Sequence, residues 1–176
     1  QAYTGEGIQV CDAQGQPLHR VPTPVADGSD TPGCGGIMRP ILHGILSSLT
    51  LELGTQVRLG ITVDAIESDE HGVAVRFSNG GSGRYDVLVG ADGVFSRVRT
   101  LLFPQAPRPT YTGQCVWRIV APRPASIDRR HFFLGGPGKV GLTPVSPTEM
   151  YMFYLETTAR RSPMPDGDMV TGLRRL

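Results

Sequence analysis

The chain has 176 residues and a formal net charge of +1, with 17 Lys and Arg set against 16 Asp and Glu. That balance argues against a basic nucleic-acid arm or a polybasic membrane patch, and no apolar run is long enough to span a bilayer. A hydrophobic share of 39% suffices to bury a core, and the cysteines (Cys11, Cys34, Cys115), odd in number and far apart, suit reduced thiols in the cytoplasm better than disulfides or zinc.

Glycine and proline, 23 and 15 of them, predict many turns and short strands. "GIQVCDAQGQPLHRV" reads as two short strands joined at "DAQGQ". "PTPVADGSDTPGCGG" is a loop in which Asp27 and Asp30 are solvated acids. "MRPILHGILSSLTLELG" predicts a helix. Ile41, Leu42, Ile45, Leu46 and Leu49 share one face, Pro40 suits the first turn and Gly54 the stop. A short strand at "TQVRL" comes next. A meander follows, with strands near Ile61 to Ser68, Val73 to Phe77 and Arg84 to Val89 and turns at "DEHG" and "SNGGSG". The continuous apolar run "VLVGA" predicts a strand covered on both faces, as in a parallel sheet. A helix is expected after Ser96, its N-cap, with Pro104 as its stop. Four strands with Gly/Pro turns follow in "YTGQCVWRIVAP", "RRHFFLGG", "KVGLTPVS" and "EMYMFYLETT", and the tail reads as a loop leading into a helix. The expected domains are residues 1–104 and 105–176.

Two positions carry chemistry. "GADG" ends a predicted strand and feeds a helix, a corner where Gly90 and Gly93 let another group approach and helix N–H groups can meet an anion. Asp92 would repel a phosphate there. It suits ribose hydroxyls, or it organises the loop through its own N–H partners; from spacing alone a turn-forming Asp ahead of a capped helix is the leading reading. Arg39 opens the long helix, where the dipole disfavours a cation unless an anion is gripped by guanidinium and helix together. Taken alone it reads as a solvated arginine. His43 is a helix histidine, and His19, His71 and His131 fall at turns or strand starts. No pair has metal-ligand spacing and no Ser lies in a GxSxG elbow, so neither a metal site nor Ser/His/Asp hydrolysis is expected.

"RPILHGILSSL", "VRLGITVDAIESDEHGVAVRFSNG" and "YDVLVGADGVFSRVR", in that order, closely resemble the FAD-dependent aromatic hydroxylases, the p-hydroxybenzoate and salicylate hydroxylase family of flavoprotein monooxygenases. The resemblance covers nearly the whole chain. It implies an α/β and α+β fold: part of a glutathione-reductase-like FAD-binding domain (1–104), then part of an antiparallel substrate-domain sheet (105–176). It implies that Arg39 binds the FAD pyrophosphate region, that the Val63 backbone contacts adenine, and that Asp92 and Gly93 lie near the ribose and pyrophosphate. Ser96 and Arg99 would support that turn. Trp117, Arg118, Phe133 and Tyr154 become substrate-pocket candidates, with the strand register still open. The implied reaction uses NADH or NADPH, FAD and oxygen to hydroxylate a small aromatic through a flavin hydroperoxide.

The family's GxGxxG unit and its later "GD" motif are not found in these residues, so the chain is expected to be the central part of a larger enzyme, with little activity by itself. The alternatives are an inert structural or dimerising module, whose strand at Asp86 to Ala91 would offer an apolar edge for a homodimer, and a related quinone hydroxylase, epoxidase or reductase.

Overall fold

A computed structural model describes residues 2–30, 32–159 and 166–174. The chain folds as two units, one made of residues 1–49 with 111–176 and the other of residues 50–110. This structural division differs from the expected split at residue 104, because the N-terminal strands hydrogen-bond to strands that come more than a hundred residues later.

In the first unit, β1 (Tyr3–Thr4) pairs antiparallel with β4 (Gly35–Gly36). The strands expected from "IQVC" and "PLHRV" form as β2 (Ile8–Cys11) and β3 (Pro17–Val21), joined where Asp12 Oδ1 accepts from the N–H groups of Gln14 and Gln16. The four later strands also form: β8 (Gln114–Pro122), β9 (Arg130–Phe133), β10 (Lys139–Pro144) and β11 (Glu149–Thr157). All six join one sheet in the order β3-β2-β9-β10-β11-β8, antiparallel except where β2 runs parallel to β9. Val10, Cys11, Val145 and Met150 are its buried apolar residues. Burial and the neighbouring Asp12 carboxylate both push the Cys11 thiol up, which leaves it a packing group.

Helix α1 (Arg39–Glu52) forms as predicted, and Gly54, at φ +81°, ends it in the left-handed conformation that glycine adopts without strain. Its apolar face is present but uncovered among the described residues: Ile41, Leu42, Ile45, Leu46 and Leu49 are all exposed.

The second unit is a three-stranded meander of β5 (Val63–Asp69), β6 (Gly72–Phe77) and β7 (Ser82–Tyr85), followed by α2 (Arg97–Leu102). Val75 is its buried apolar residue and Ser96 its buried polar one. One predicted strand is absent and another is cut short. "TQVRL" is irregular, and the strand expected from Arg84 to Val89 forms only as far as Tyr85, leaving Val87 and Val89 73% and 77% exposed. A strand needs a hydrogen-bonding neighbour, and no described segment supplies one beyond β7. Near the C-terminus a 3-10 turn (Asp166–Asp168) leads into α3 (Met169–Leu173), and the loop predicted at 160–165 lies outside the described residues. No helix among the described residues is long and apolar enough to cross a membrane.

Candidate functional site

The register of the large sheet fixes the faces of the predicted pocket residues. Trp117 lies opposite Tyr154, and Arg118 opposite Phe153. Successive side chains point to opposite faces. Trp117 and Tyr154 therefore share one face, on which Trp117 donates its indole N–H to Glu156 Oε1 at 2.9 Å. They line an apolar pocket of about 310 Å³ with Val140, Met152 and Leu173. Phe133 is on this face too, but at the end of β9, stacked against His131 with ring centroids 6.5 Å apart. Arg118 projects from the other face. Arg118 nevertheless borders the 310 Å³ pocket as well, so three of the four candidates line it and Phe133 does not.

The face that carries Arg118 builds a larger cleft of about 540 Å³. Its floor is aromatic. Phe132 and Phe153 both lie opposite Gly141, and their rings meet edge-on with centroids 6.0 Å apart. Gly141 is required for this, since a Cβ there would fall 2.1 Å from the Phe153 ring. Tyr151 continues the floor, with the Arg118 guanidinium carbon 5.9 Å from its ring centroid. The wall is the backbone from Gly35 to Pro40, which brings Arg39 and the start of α1 to the opening. It lies so close to the sheet that a Cβ on Gly36 would meet the Pro144 carbonyl oxygen at 2.1 Å.

Three guanidinium groups line this cleft: Arg39, Arg118 and Arg130. No acidic residue lines it, and none of the three forms a salt bridge among the described residues. The Arg130 guanidinium donates to the Gly35 carbonyl at 3.3 Å. Sequence reasoning found Arg39 and Arg118 but missed Arg130, Phe132, Tyr151 and Phe153. The missed signal was the two-residue step along strands: Arg130 with Phe132 and Tyr151 with Phe153 repeat one face.

The "GADG" corner in the second unit has a different chemistry from the one its spacing suggests. The Asp92 carboxylate accepts from the Ser96 hydroxyl at 2.5 Å and from the N–H groups of Arg97 and Val98 at 2.6 and 3.1 Å. Ser96 Oγ in turn accepts from Arg99 N–H at 2.9 Å, the predicted N-cap. The leading donors of α2 are therefore satisfied inside the chain, and the free helix N-terminus expected for an anion is not there. The Ser96 hydroxyl first, and then the backbone N–H groups, hold Asp92 down to about 2, so it is ionised at neutral pH. Gly93 adopts φ +82°, and a Cβ on Gly90 would press on Val98 at 3.0 Å. Both glycines serve the turn.

Val63, the predicted adenine contact, opens β5 and borders a cleft of about 420 Å³ with Arg58, Phe77 and Tyr85. Its carbonyl accepts from Arg97 Nε at 2.7 Å, and the Arg97 guanidinium also pairs with Asp64 at 2.8 Å. Arg97, unnoticed in the sequence, thus ties α2 to β5. Arg99, a predicted support, donates to the Val94 carbonyl.

No family model matches the chain. It is 28% identical over 169 residues to 2-heptyl-3-hydroxy-4(1H)-quinolone synthase of Pseudomonas aeruginosa, covering 96% of this chain and 43% of that enzyme. It is 32% identical over 101 residues to the FAD-dependent urate hydroxylase of Klebsiella pneumoniae, covering 56% of this chain and 26% of that enzyme. This chain is a homologue of the FAD-dependent monooxygenases. Its fold is theirs as well. A variant of Klebsiella pneumoniae HpxO complexed with FAD superposes with a TM-score of 0.81 at 22% identity, covering 99% of this chain and 46% of HpxO. The mixed α/β architecture, mostly strands with few helices, is that of these FAD-dependent hydroxylases. The chain spans less than half the length of the monooxygenases it matches.

Proposed function

We propose that this chain forms part of an FAD-dependent, NADH- or NADPH-using monooxygenase that hydroxylates a small aromatic substrate. The observation that carries the reading is the cleft beside Arg39: aromatic floor, glycine-lined wall and three arginines with no carboxylate partner among the described residues. Such a lining suits a flat ring together with a phosphate-bearing ligand.

Taken one by one, the chemistry of these residues suits FAD. Arg39 would hold its pyrophosphate, since its guanidinium forms no salt bridge among the described residues and stands at the start of a 14-residue helix. Asp92 and Gly93 would lie near the ribose, with the Asp92 carboxylate fixed in place by the Ser96 hydroxyl and the N–H groups of Arg97 and Val98. The Val63 backbone would contact adenine. In this reading the meander and α2 belong to a glutathione-reductase-like FAD domain and the large sheet to the substrate domain. Bound flavin would supply the redox chemistry, accepting hydride from the nicotinamide and transferring oxygen to the substrate. The chain's own part is to bind and orient: Phe132, Tyr151 and Phe153 stack the ring and keep water from it.

Heavy-oxygen labelling tests the reaction. The flavin-loaded enzyme, given NADH or NADPH and a small aromatic under labelled dioxygen, should yield a product with one labelled oxygen on the ring. Nucleotide oxidation with an unlabelled, unchanged aromatic would overturn the hydroxylase reading in favour of simple reduction.

A further inference from the structure

We infer that Arg97 is a positioning residue for the adenosine end of the cofactor, locking the Asp92 corner to the Val63 peptide at the spacing an adenine nucleoside spans. This deepens the proposed function and rests on it. Arg97 is engaged at both ends. Its backbone N–H donates to Asp92 Oδ2 at 2.6 Å. Its guanidinium donates through Nε to the Val63 carbonyl at 2.7 Å and pairs with Asp64 Oδ1 at 2.8 Å. The two positions assigned to ribose and adenine are therefore held apart by one arginine side chain. That length is comparable to the distance from a nucleoside's sugar hydroxyls to the edge of its base.

The Val63 peptide needs such a brace. Val63 faces Phe77 and Ala65 faces Arg76, so the register slips and Asp64 is an extra residue with no partner on β6. A bulge of this kind disrupts the ladder and re-aims the backbone. Arg97 fixes it from α2, taking the carbonyl on one side of the bulge and the side chain of the bulged residue itself. A planar guanidinium holds both acceptors in one geometry, which the single ammonium of a lysine does not. A carbonyl oxygen has two lone pairs, so that of Val63 keeps one for a ligand's N–H. The Arg97–Asp64 pair is itself 51% and 37% exposed and adds little to stability. Its effect is preorganisation: a bulge fixed before the ligand arrives loses less freedom when the ligand binds.

Titrations with FAD, FMN and ADP test this, because FMN carries the flavin without adenosine and ADP carries adenosine without flavin. Arg97→Ala should weaken FAD and ADP by the same factor, about three- to tenfold for a half-exposed brace, and leave FMN unchanged. Arg97→Lys should recover part of the loss, and Asp64→Asn, which keeps the Val63 bond, should cost less than Arg97→Ala. Urea midpoints check that each variant keeps its fold. Unchanged FAD affinity in Arg97→Ala would overturn the inference. So would equal losses for FAD and FMN, the mark of a merely structural arginine. If the chain takes up neither flavin yet binds ADP in a way that depends on Arg97, the flavoenzyme reading fails while the nucleoside clamp stands. If it binds none of the three, both fall.

Discussion

Gly141→Ala should unfold the large sheet more easily, whereas the same substitution at Gly44 should do the reverse. At Gly141 the new methyl would sit 2.1 Å from Cε1 and 2.4 Å from Cζ of Phe153, against about 3.5–4.0 Å for an ordinary carbon contact. The Phe153 ring must then move by more than about 1 Å, away from its edge-on partner Phe132. Overpacking of this kind costs about 1–3 kcal/mol. Gly44 lies inside α1 with nothing within 4 Å of the place a methyl group would take, so alanine only restricts the unfolded chain and should stabilise by about 0.5–1 kcal/mol. Trp117, the one tryptophan of the chain, is in β8 and reports on this sheet. Urea unfolding followed by its fluorescence should show the Gly141→Ala midpoint falling by about 1 M, for a loss of about 2 kcal/mol and an m-value of about 2 kcal/mol/M. Gly44→Ala should shift it slightly upward. A neutral or stabilising Gly141→Ala would refute the claim that Phe153 is locked over that glycine.

Other predictions concern protons and caps. Asp92 is held below its ordinary value of 3.8, to about 2, so its contribution to stability is present above pH 4 and is lost as the pH falls toward 2; carbon-detected NMR titration of its carboxyl should show this, and Ser96→Ala should raise the midpoint. Burial pushes the His131 imidazole below 6.5. Its neutral form is favoured by folding, so stability is full above pH 6.5 and declines as the pH drops below it; His131→Gln should flatten that decline in urea midpoints measured between pH 7.5 and 5.5. Replacing Ser96 also removes the acceptor for Arg99 N–H, which should cost about 1 kcal/mol and speed amide exchange in the first turn of α2.

Much of the first unit could be read in the sequence because its signals are local. The "DAQGQ" turn, the face of Ile41, Leu42, Ile45, Leu46 and Leu49, and Gly54 after the helix each depend on neighbours within one or two turns. The strand predicted from Arg84 to Val89 pairs only as far as Tyr85; beyond that it depended on a distant partner, which local pattern cannot supply. The pairing of β2 with β9 bridges more than a hundred residues and had no local signature. The same distinction governs the candidate site. Ser96 as a cap and Asp92 as a loop organiser were legible from spacing. Arg118 was picked alongside Trp117 and Tyr154, yet the register puts it on the opposite face with Phe153. Side-chain alternation was visible in each strand, but which alternate faces the cleft was fixed only when β8, β9, β10 and β11 were aligned by their hydrogen bonds.

The central claim, that Arg39 and the cleft beside it belong to a flavin site, is tested most directly by titrating FAD and following the quenching of its fluorescence. Binding should be saturable, and Arg39→Ala should weaken it by about 1.5–3 kcal/mol, the loss expected when a charge-assisted bond to phosphate is removed. Binding of equal strength with and without the Arg39 guanidinium would contradict the claim.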